Sequence, residues 1–239
     1  MPTKPQKILL AFDFDHTILD GDSDVQAQKL HNGPLPDAVT KLDSGREWNH
    51  YMAAVFDLLH RQNISAEDIR QNILSLSLVS GMKELFDHLR QDMFEVIIIS
   101  DANCQFIDWY LRENQFDEFI AQIYSNPAKF DENGKLNLEF HHRQDWCDLC
   151  SKNLCKGSVL EKHVAQRKSS GTSYSRIFYI GDGNNDYCPS LRLAEKDCVF
   201  PRIGYALHRR IQENTSKVKA QVVPWKTAST IMEAVTSST

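Results

Sequence analysis

The sequence predicts an α/β fold, a Rossmann-like doubly wound parallel sheet with a small inserted helical cap. Three observations carry that prediction. Short apolar runs at 8–12, 96–99 and 177–180 each stop at a chemically active residue (Asp13, Ser100 and Gly181-Asp182), as buried parallel strands do. Helical patterns alternate with these runs, the signature of a parallel sheet covered by helices. One long segment, 23–78, breaks the alternation, with no convincing strand and with apolar residues at helical spacing. The expected organisation is a core made of 1–22 and 79–239 with a helical cap at 23–78.

In chain order, strand 8–12 leads into the carboxylate pair Asp13 and Asp15. Within the interruption Met52, Val55, Phe56 and Leu59 share a helix face, and Ser65 with Asp68 forms a capping-box pattern ahead of Ile69, Ile73 and Leu76. After strand 96–99, Phe106, Ile107, Tyr110 and Leu111 mark a second helix face. A further interruption, 123–140, reads as two extended stretches about the turn signal Asn133-Gly134. Val159, Leu160, His163 and Val164 define the helix before strand 177–180. Weaker strand patterns lie at 198–200 and 221–223, the latter stopped by Pro224, and 228–235 is a closing helix followed by a frayed Ser/Thr-rich tail.

At 239 residues the chain can bury a full core unaided, so neither disulfides nor structural metals are obligatory. Lys and Arg number 27 against 32 Asp and Glu, a net charge of −5 with no concentrated basic run, which argues against nucleic acid as a partner. The opening MPTKPQK is followed by too short an apolar run for a signal peptide, and no stretch reaches the ~20 apolar residues that cross a bilayer. A cytoplasmic protein with no membrane partner is expected.

The chemistry starts at Asp13-Phe14-Asp15-His16-Thr17, where two carboxylates one residue apart leave a strand end and can face one pocket, one as nucleophile and the other as acid. Attack on a phosphate dianion sets negative charge against negative charge, so cations and hydrogen-bond donors are required. Gly181-Asp182-Gly183-Asn184-Asn185-Asp186 offers a tight turn and two carboxylates suited to a hard cation, Lys156 a fixed positive charge, and Ser100 a hydroxyl near the start of the following helix. Each piece has a plainer reading, since a carboxylate pair after a strand also serves as a solvated turn or helix cap. Their order and placement favour catalysis.

This ordered set resembles the four motifs of the haloacid dehalogenase superfamily, over 8–223. The resemblance implies Asp13 as nucleophile and Asp15 as general acid and then base, with Ser100 and Lys156 steadying the phosphoryl group. It also implies one Mg²⁺ held by the Asp13 carboxylate, the Asp15 backbone carbonyl and Asp182, with Asp186 a further ligand or an orienter of bound water. Within the superfamily, Asp20-Gly21-Asp22-Ser23-Asp24, Ile99-Ser100-Asp101-Ala102-Asn103 and Cys147-x-x-Cys150 leading to Asn153-Leu154-Cys155-Lys156-Gly157 resemble the PHOSPHO family. That family comprises phosphoethanolamine/phosphocholine phosphatases, pyridoxal phosphate phosphatases and plant relatives acting on thiamine monophosphate. It implies a small phosphate ester as substrate and recognition roles for Asp24 and Asp101; the alternative is that Asp101 or Asn103 caps the helix after Ser100 and Asp24 caps one in the cap segment. Trp48 or Tyr51 could face a quaternary ammonium, though packing is the plainer role. A phosphotransferase with the same nucleophile, or a silent scaffold binding through its Cys-rich loop, are the competing functions.

Cys147, Cys150 and Cys155 cluster behind His141 and His142. A Zn²⁺ site with one of those histidines as fourth ligand, buried thiols shaping the loop, and a redox switch displacing Lys156 are the three readings.

Overall fold

The computed structural model describes residues 7–42 and 47–238; the stretch before residue 7 that was read for targeting lies outside them. The chain opens with β1 (Lys7–Phe12), followed by α1 (Ser23–Gln28), α2 (Asp37–Thr40), α3 (Trp48–Arg61), α4 (Ala66–Leu74) and α5 (Met82–His88). Next come β2 (Phe94–Asn103), α6 (Cys104–Glu113), β3 (Ile120–Asn126), β4 (Ala128–Phe130) and β5 (Leu136–Leu138). The last part holds α7 (Lys156–Ser169), β6 (Tyr174–Gly181), α8 (Tyr187–Ser190), β7 (Cys198–Pro201), α9 (Ala206–Glu213), β8 (Gln221–Val222) and α10 (Ala228–Thr236).

Six strands form one sheet in the order β3-β2-β1-β6-β7-β8, all parallel. Alternate residues of each strand feed opposite faces, which is why the runs are apolar throughout. Ile8, Leu10, Phe12, Ile98 and Ile180 join the core under α3, α4, α5, α6 and α10. Leu9, Ala11, Ile97, Ile99 and Tyr179 join the core under α7 and α9. The sheet is therefore doubly wound, as expected. The helices between β1 and β2 share the first of these cores: Phe56 of α3 meets Phe106 of α6 edge-on, ring centroids 5.8 Å apart. The capping box before α4 forms as the sequence predicts, Ser65 Oγ accepting from Asp68 N at 3.1 Å while the Asp68 carboxylate accepts from Ser65 N at 2.8 Å.

Three expectations are corrected. Residues 123–126 belong to β3, an edge strand of the parallel sheet, and only β4 and β5 make a hairpin, pairing Phe130 with Leu136 across a loop in which Gly134 takes φ +80°. Strand β2 runs past Ser100 to Asn103, so the next helix starts four residues beyond that serine, capped by Asn103 Oδ1 accepting from Phe106 N at 3.1 Å. The Ser-rich tail continues helical hydrogen bonding, with Ser238 N donating to Val235 O at 3.0 Å and Arg176 reaching the Ser238 hydroxyl at 2.9 Å. Among the described residues no helix is long and apolar enough to cross a membrane.

Candidate active site

Neighbouring strands β2, β1 and β6 end on one edge, beside the point where the chain reverses direction across the sheet; open parallel sheets bind ligands there. The three ends deliver Ser100 and Asp101, Asp13, and Asp182 to one cavity of ≈ 160 Å³ that Asp15, His16, Asp22, Asp24, Trp48, Gly183 and Asn185 also line. The loop after β1 folds back on itself: His16 takes a left-handed φ of 52°, its N–H donates to Gly21 O at 2.7 Å, and Arg202 clamps it from outside by donating to His16 O at 2.6 Å and to Asp20 at 2.7 Å. This turn carries Asp22 and Asp24 over the strand end.

Lys156, the first residue of α7, is wholly buried, with Nζ 2.6 Å from Asp13 Oδ2 and 2.8 Å from Asp186 Oδ1. The Asp186 carboxylate is saturated. Its Oδ1 also accepts from the Tyr179 hydroxyl at 2.7 Å, and its Oδ2 accepts from the N–H groups of Asp182 at 3.0 Å and Gly183 at 2.8 Å. A side chain at Gly181 would meet that carboxylate at 2.5 Å, so only glycine lets it lie against the strand end. Asp15 accepts from Ser23 N at 2.8 Å and Ser23 Oγ at 3.2 Å, and Asp101 from Asn185 Nδ2 at 2.7 Å and Ser151 Oγ at 3.1 Å. Asp24 accepts from Trp48 Nε1 at 2.7 Å.

Neither Asp24 nor Asp101 caps a helix. Asp22 caps α1, accepting from Val25 N at 2.9 Å, and Asn103 caps α6. The two aromatic candidates separate: Trp48 lines the cavity, while Tyr51 is buried and its hydroxyl donates to Gln28 at 2.8 Å. Sequence reasoning missed Asp22, His16 and Asn185 as lining residues. All three stood inside quoted motifs, yet a motif does not give side-chain direction.

Burial dominates the electrostatics. It pushes Asp13 up to about 7, with the Asp186 charge adding to it and Lys156 and the Phe14 N–H opposing. Asp182 is pushed up to about 8 by burial and then by Asp13 and Asp186. Asp15 is raised well above the usual carboxylate range by burial, Asp22 and Asp24, and Asp24 to about 7 by burial and Asp22 against the Trp48 hydrogen bond. Burial alone would lower Lys156, but Asp13, Asp186 and Asp101 outweigh it and hold the ammonium charged. These carboxylates repel one another more than the chain compensates.

Outside the cavity, His141 Nδ1 lies 3.2 Å from Ser125 O and His142 Nε2 accepts from Cys155 N at 3.0 Å. Neither joins the thiols. Cys188 does, and all six cysteines are free of disulfides.

Sequence comparison finds relatives along nearly the whole chain. Pyridoxal phosphate phosphatase PHOSPHO2 of Homo sapiens is 40% identical over 227 residues (92% of this chain, 93% of the relative), and that of Mus musculus 38% over 225 residues with the same coverage. The phosphoethanolamine/phosphocholine phosphatase of Homo sapiens is 37% identical over 232 residues, 94% of this chain and 86% of the relative. Among solved structures, a phospho-aspartyl intermediate analogue of phosphoserine phosphatase superposes with a TM-score of 0.65 at 16% identity over 96% of this chain and 99% of that one, and a substrate-bound phosphoserine phosphatase with 0.64 at 16% identity over 97% and 99%. These neighbours share the haloacid dehalogenase fold. A family model described as "Putative Phosphatase" matches residues 8–238, and with its parallel sheet, its carboxylate-lined cavity and its PHOSPHO relatives this chain belongs to that family as a phosphatase, a phosphoric monoester hydrolase.

Proposed function

We propose that the chain is a cytoplasmic, Mg²⁺-dependent phosphatase that hydrolyses a small phosphomonoester bearing a cationic amine, of the phosphoethanolamine or phosphocholine kind, through an aspartyl-phosphate on Asp13. The observation that supports the substrate class is the triple carboxylate lining of Asp22, Asp24 and Asp101 beside Trp48. An ammonium would neutralise carboxylates that form no ion pair among the described residues, and an indole suits an alkylated one. The described lining of the cavity presents carboxylates, not a cationic surface, so neither nucleic acid nor a membrane is proposed as a partner.

Asp13 Oδ2 attacks phosphorus while Lys156 and the Ser100 hydroxyl hold phosphoryl oxygens. Asp15, kept protonated by burial and by Asp22 and Asp24, donates its proton to the leaving alkoxide, then takes one from the water that cleaves the acyl phosphate. Ser23 orients Asp15 for both roles. The donors of the site fit Mg²⁺: Asp13, Asp182 and Asp186 offer hard oxygens within 4.8 Å of one another, and the raised Asp13 and Asp182 are carboxylates short of a cation. Bound there, Mg²⁺ would neutralise charge between the carboxylates and the phosphoryl oxygens. Asp13, Asp182 and the Asp15 carbonyl are the ligands assigned. Asp186, with four donors on its two oxygens, is assigned to orient Lys156 and the 182–183 backbone instead. Residues 23–78 act as the cap that supplies Asp24 and Trp48.

A second reading, pyridoxal phosphate as substrate, is favoured by the relatives at 38–40% identity that carry that name. Phosphate release across phosphoethanolamine, phosphocholine, pyridoxal phosphate, thiamine monophosphate and sugar phosphates separates the two. A higher kcat/KM for the amine esters, lost in Asp24→Asn, supports the first; a preference for pyridoxal phosphate that survives Asp24→Asn replaces it with the second.

A further inference from the structure

We propose that Cys147, Cys150, Cys155 and Cys188 bind one Zn²⁺ in a closed four-thiolate site that fixes the start of α7, with Lys156, to the turn carrying Asp186. The four sulfurs all lie within 4.8 Å of one another and are buried. Cys147 Sγ is 3.6 Å from Cys188 Sγ, and Cys155 Sγ is 3.9 Å from it. With Zn–S bonds of about 2.3 Å, a tetrahedron has S···S edges of about 3.8 Å, between those two values. A disulfide needs sulfurs about 2.0 Å apart, so the cluster is not an oxidised pair.

The surroundings are built for it. Residues 141–155 contain no helix or strand, yet Cys147 and Cys150 are held in place from one side: Gln144 Nε2 donates to Cys147 O at 3.1 Å and Ser151 O at 2.8 Å, and its Oε1 accepts from Cys147 N at 2.9 Å. Cys155 occupies the N-cap position of the 14-residue α7, where the helix dipole favours a thiolate. Cys188 reaches the cluster because position 157 is glycine, whose added Cβ would lie 2.6 Å from its sulfur. Four thiolates with no open position describe a structural ion rather than a catalytic one. Cys155 precedes Lys156, and Cys188 follows Asp186 by two residues, so the ion would brace the 2.8 Å Lys156–Asp186 contact from behind.

Metal analysis of the full chain purified without chelator tests this independently of any substrate. One zinc per chain is expected, displaced by a mercurial in step with thiol modification, and Co²⁺ taken up in its place should give the visible bands of a tetrahedral thiolate site. Cys188→Ser should lose the zinc while Cys104→Ser and Cys198→Ser, outside the cluster, keep it. Wild-type protein with no zinc and no Co²⁺ thiolate spectrum overturns the proposal without reference to how any variant folds, as does full zinc retention in folded Cys188→Ser.

Discussion

Strand β2 carries a carboxylate near each end, Glu95 buried and Asp101 half-buried at the cavity, and the chain treats the two in opposite ways. Near its start, Glu95 accepts from the Tyr174 hydroxyl at 2.6 Å and from Arg167, with His163 Nε2 at 3.2 Å and Tyr124 behind that histidine at 3.0 Å. Burial pushes Glu95 up, but these partners outweigh it and hold it below its ordinary value. At the other end Asp101 stays raised by burial despite Lys156, Asn185 and Ser151, and Asp13, Asp15, Asp24 and Asp182 around it are raised too. The first cluster is closed on itself. The second holds the Lys156 ammonium against Asp13 and Asp186 yet leaves its carboxylates raised, an imbalance that costs stability and has use only if a further cation and a phosphate ester answer it.

The largest effect should come from breaking the open end at its centre. Asp13→Asn keeps the shape but removes the attacking oxygen, so turnover should fall by about 10⁴-fold or more. Its folding should be largely kept, because losing the ion pair to Lys156 is offset by removing a charge that repels Asp182 and Asp186, and Asp186 still holds the ammonium. Stopped-flow or endpoint phosphate release together with a thermal melt reads both. Turnover at the wild-type rate would remove Asp13 as nucleophile and leave the charge imbalance unexplained.

Metal should act on one end only. Saturating Mg²⁺, binding the folded chain and not the unfolded one, should stabilise the wild type by the mass-action amount, about 2.7 kcal/mol at a hundredfold excess over Kd, read as a rise in melting temperature. Asp182→Asn should lose that rise, and Glu95→Gln should keep it. Activity should vanish in excess chelator and return with Mg²⁺. An equal Mg²⁺ response in wild type and Asp182→Asn would place the cation elsewhere.

Much of this contrast was legible beforehand, and the part that was not has a physical cause. Strands buried on both faces announce themselves as unbroken apolar runs, which is how 8–12, 96–99 and 177–180 were found, and Ser65-x-x-Asp68 encodes its own local hydrogen bonds. The edge strand β3 was hidden because solvent reaches much of it, so its letters look like a hairpin arm. Asp13, Ser100, Lys156 and Asp182 were found because strand ends and chain order place them. Cys188 and the partners of Glu95 were not, since contacts between residues 33 and 72 positions apart depend on how helices pack on the sheet. The closed network at Glu95 carries no motif at all: His163 stands on an apolar helix face, but Glu95, Arg167 and Tyr174 have no fixed spacing to it and look like ordinary surface residues until folding brings them together.

The smallest effect is the pH dependence of stability, and there the two ends should pull in opposite directions. The folded value of Glu95 lies below its ordinary 4.5, so its contribution is present above that pH and is lost as pH falls through the folded value. His163 is lowered from 6.5, by burial first and by Arg167, with Glu95 opposing; the unfolded chain therefore takes up a proton below 6.5 that the fold resists, and this also destabilises in acid. Asp13 and Asp182, raised to about 7 and about 8, have the reverse sign: their contribution is present below their ordinary 3.8 and is lost as pH rises through those folded values. Mg²⁺ bound by both as proposed would keep them ionised and silence that second contribution. In saturating Mg²⁺ the melting temperature should therefore fall from pH 7 to pH 4, and Glu95→Gln should flatten the lower part of that fall while costing about 1 kcal/mol at pH 7, or about 2–4 °C at this chain size. Without metal the wild type should gain stability on acidification from pH 8 to pH 6, offsetting the His163 loss. A metal-free profile parallel to the Mg²⁺-saturated one would show that the cavity carboxylates are settled within the chain after all, and the difference between the two ends of β2 would disappear.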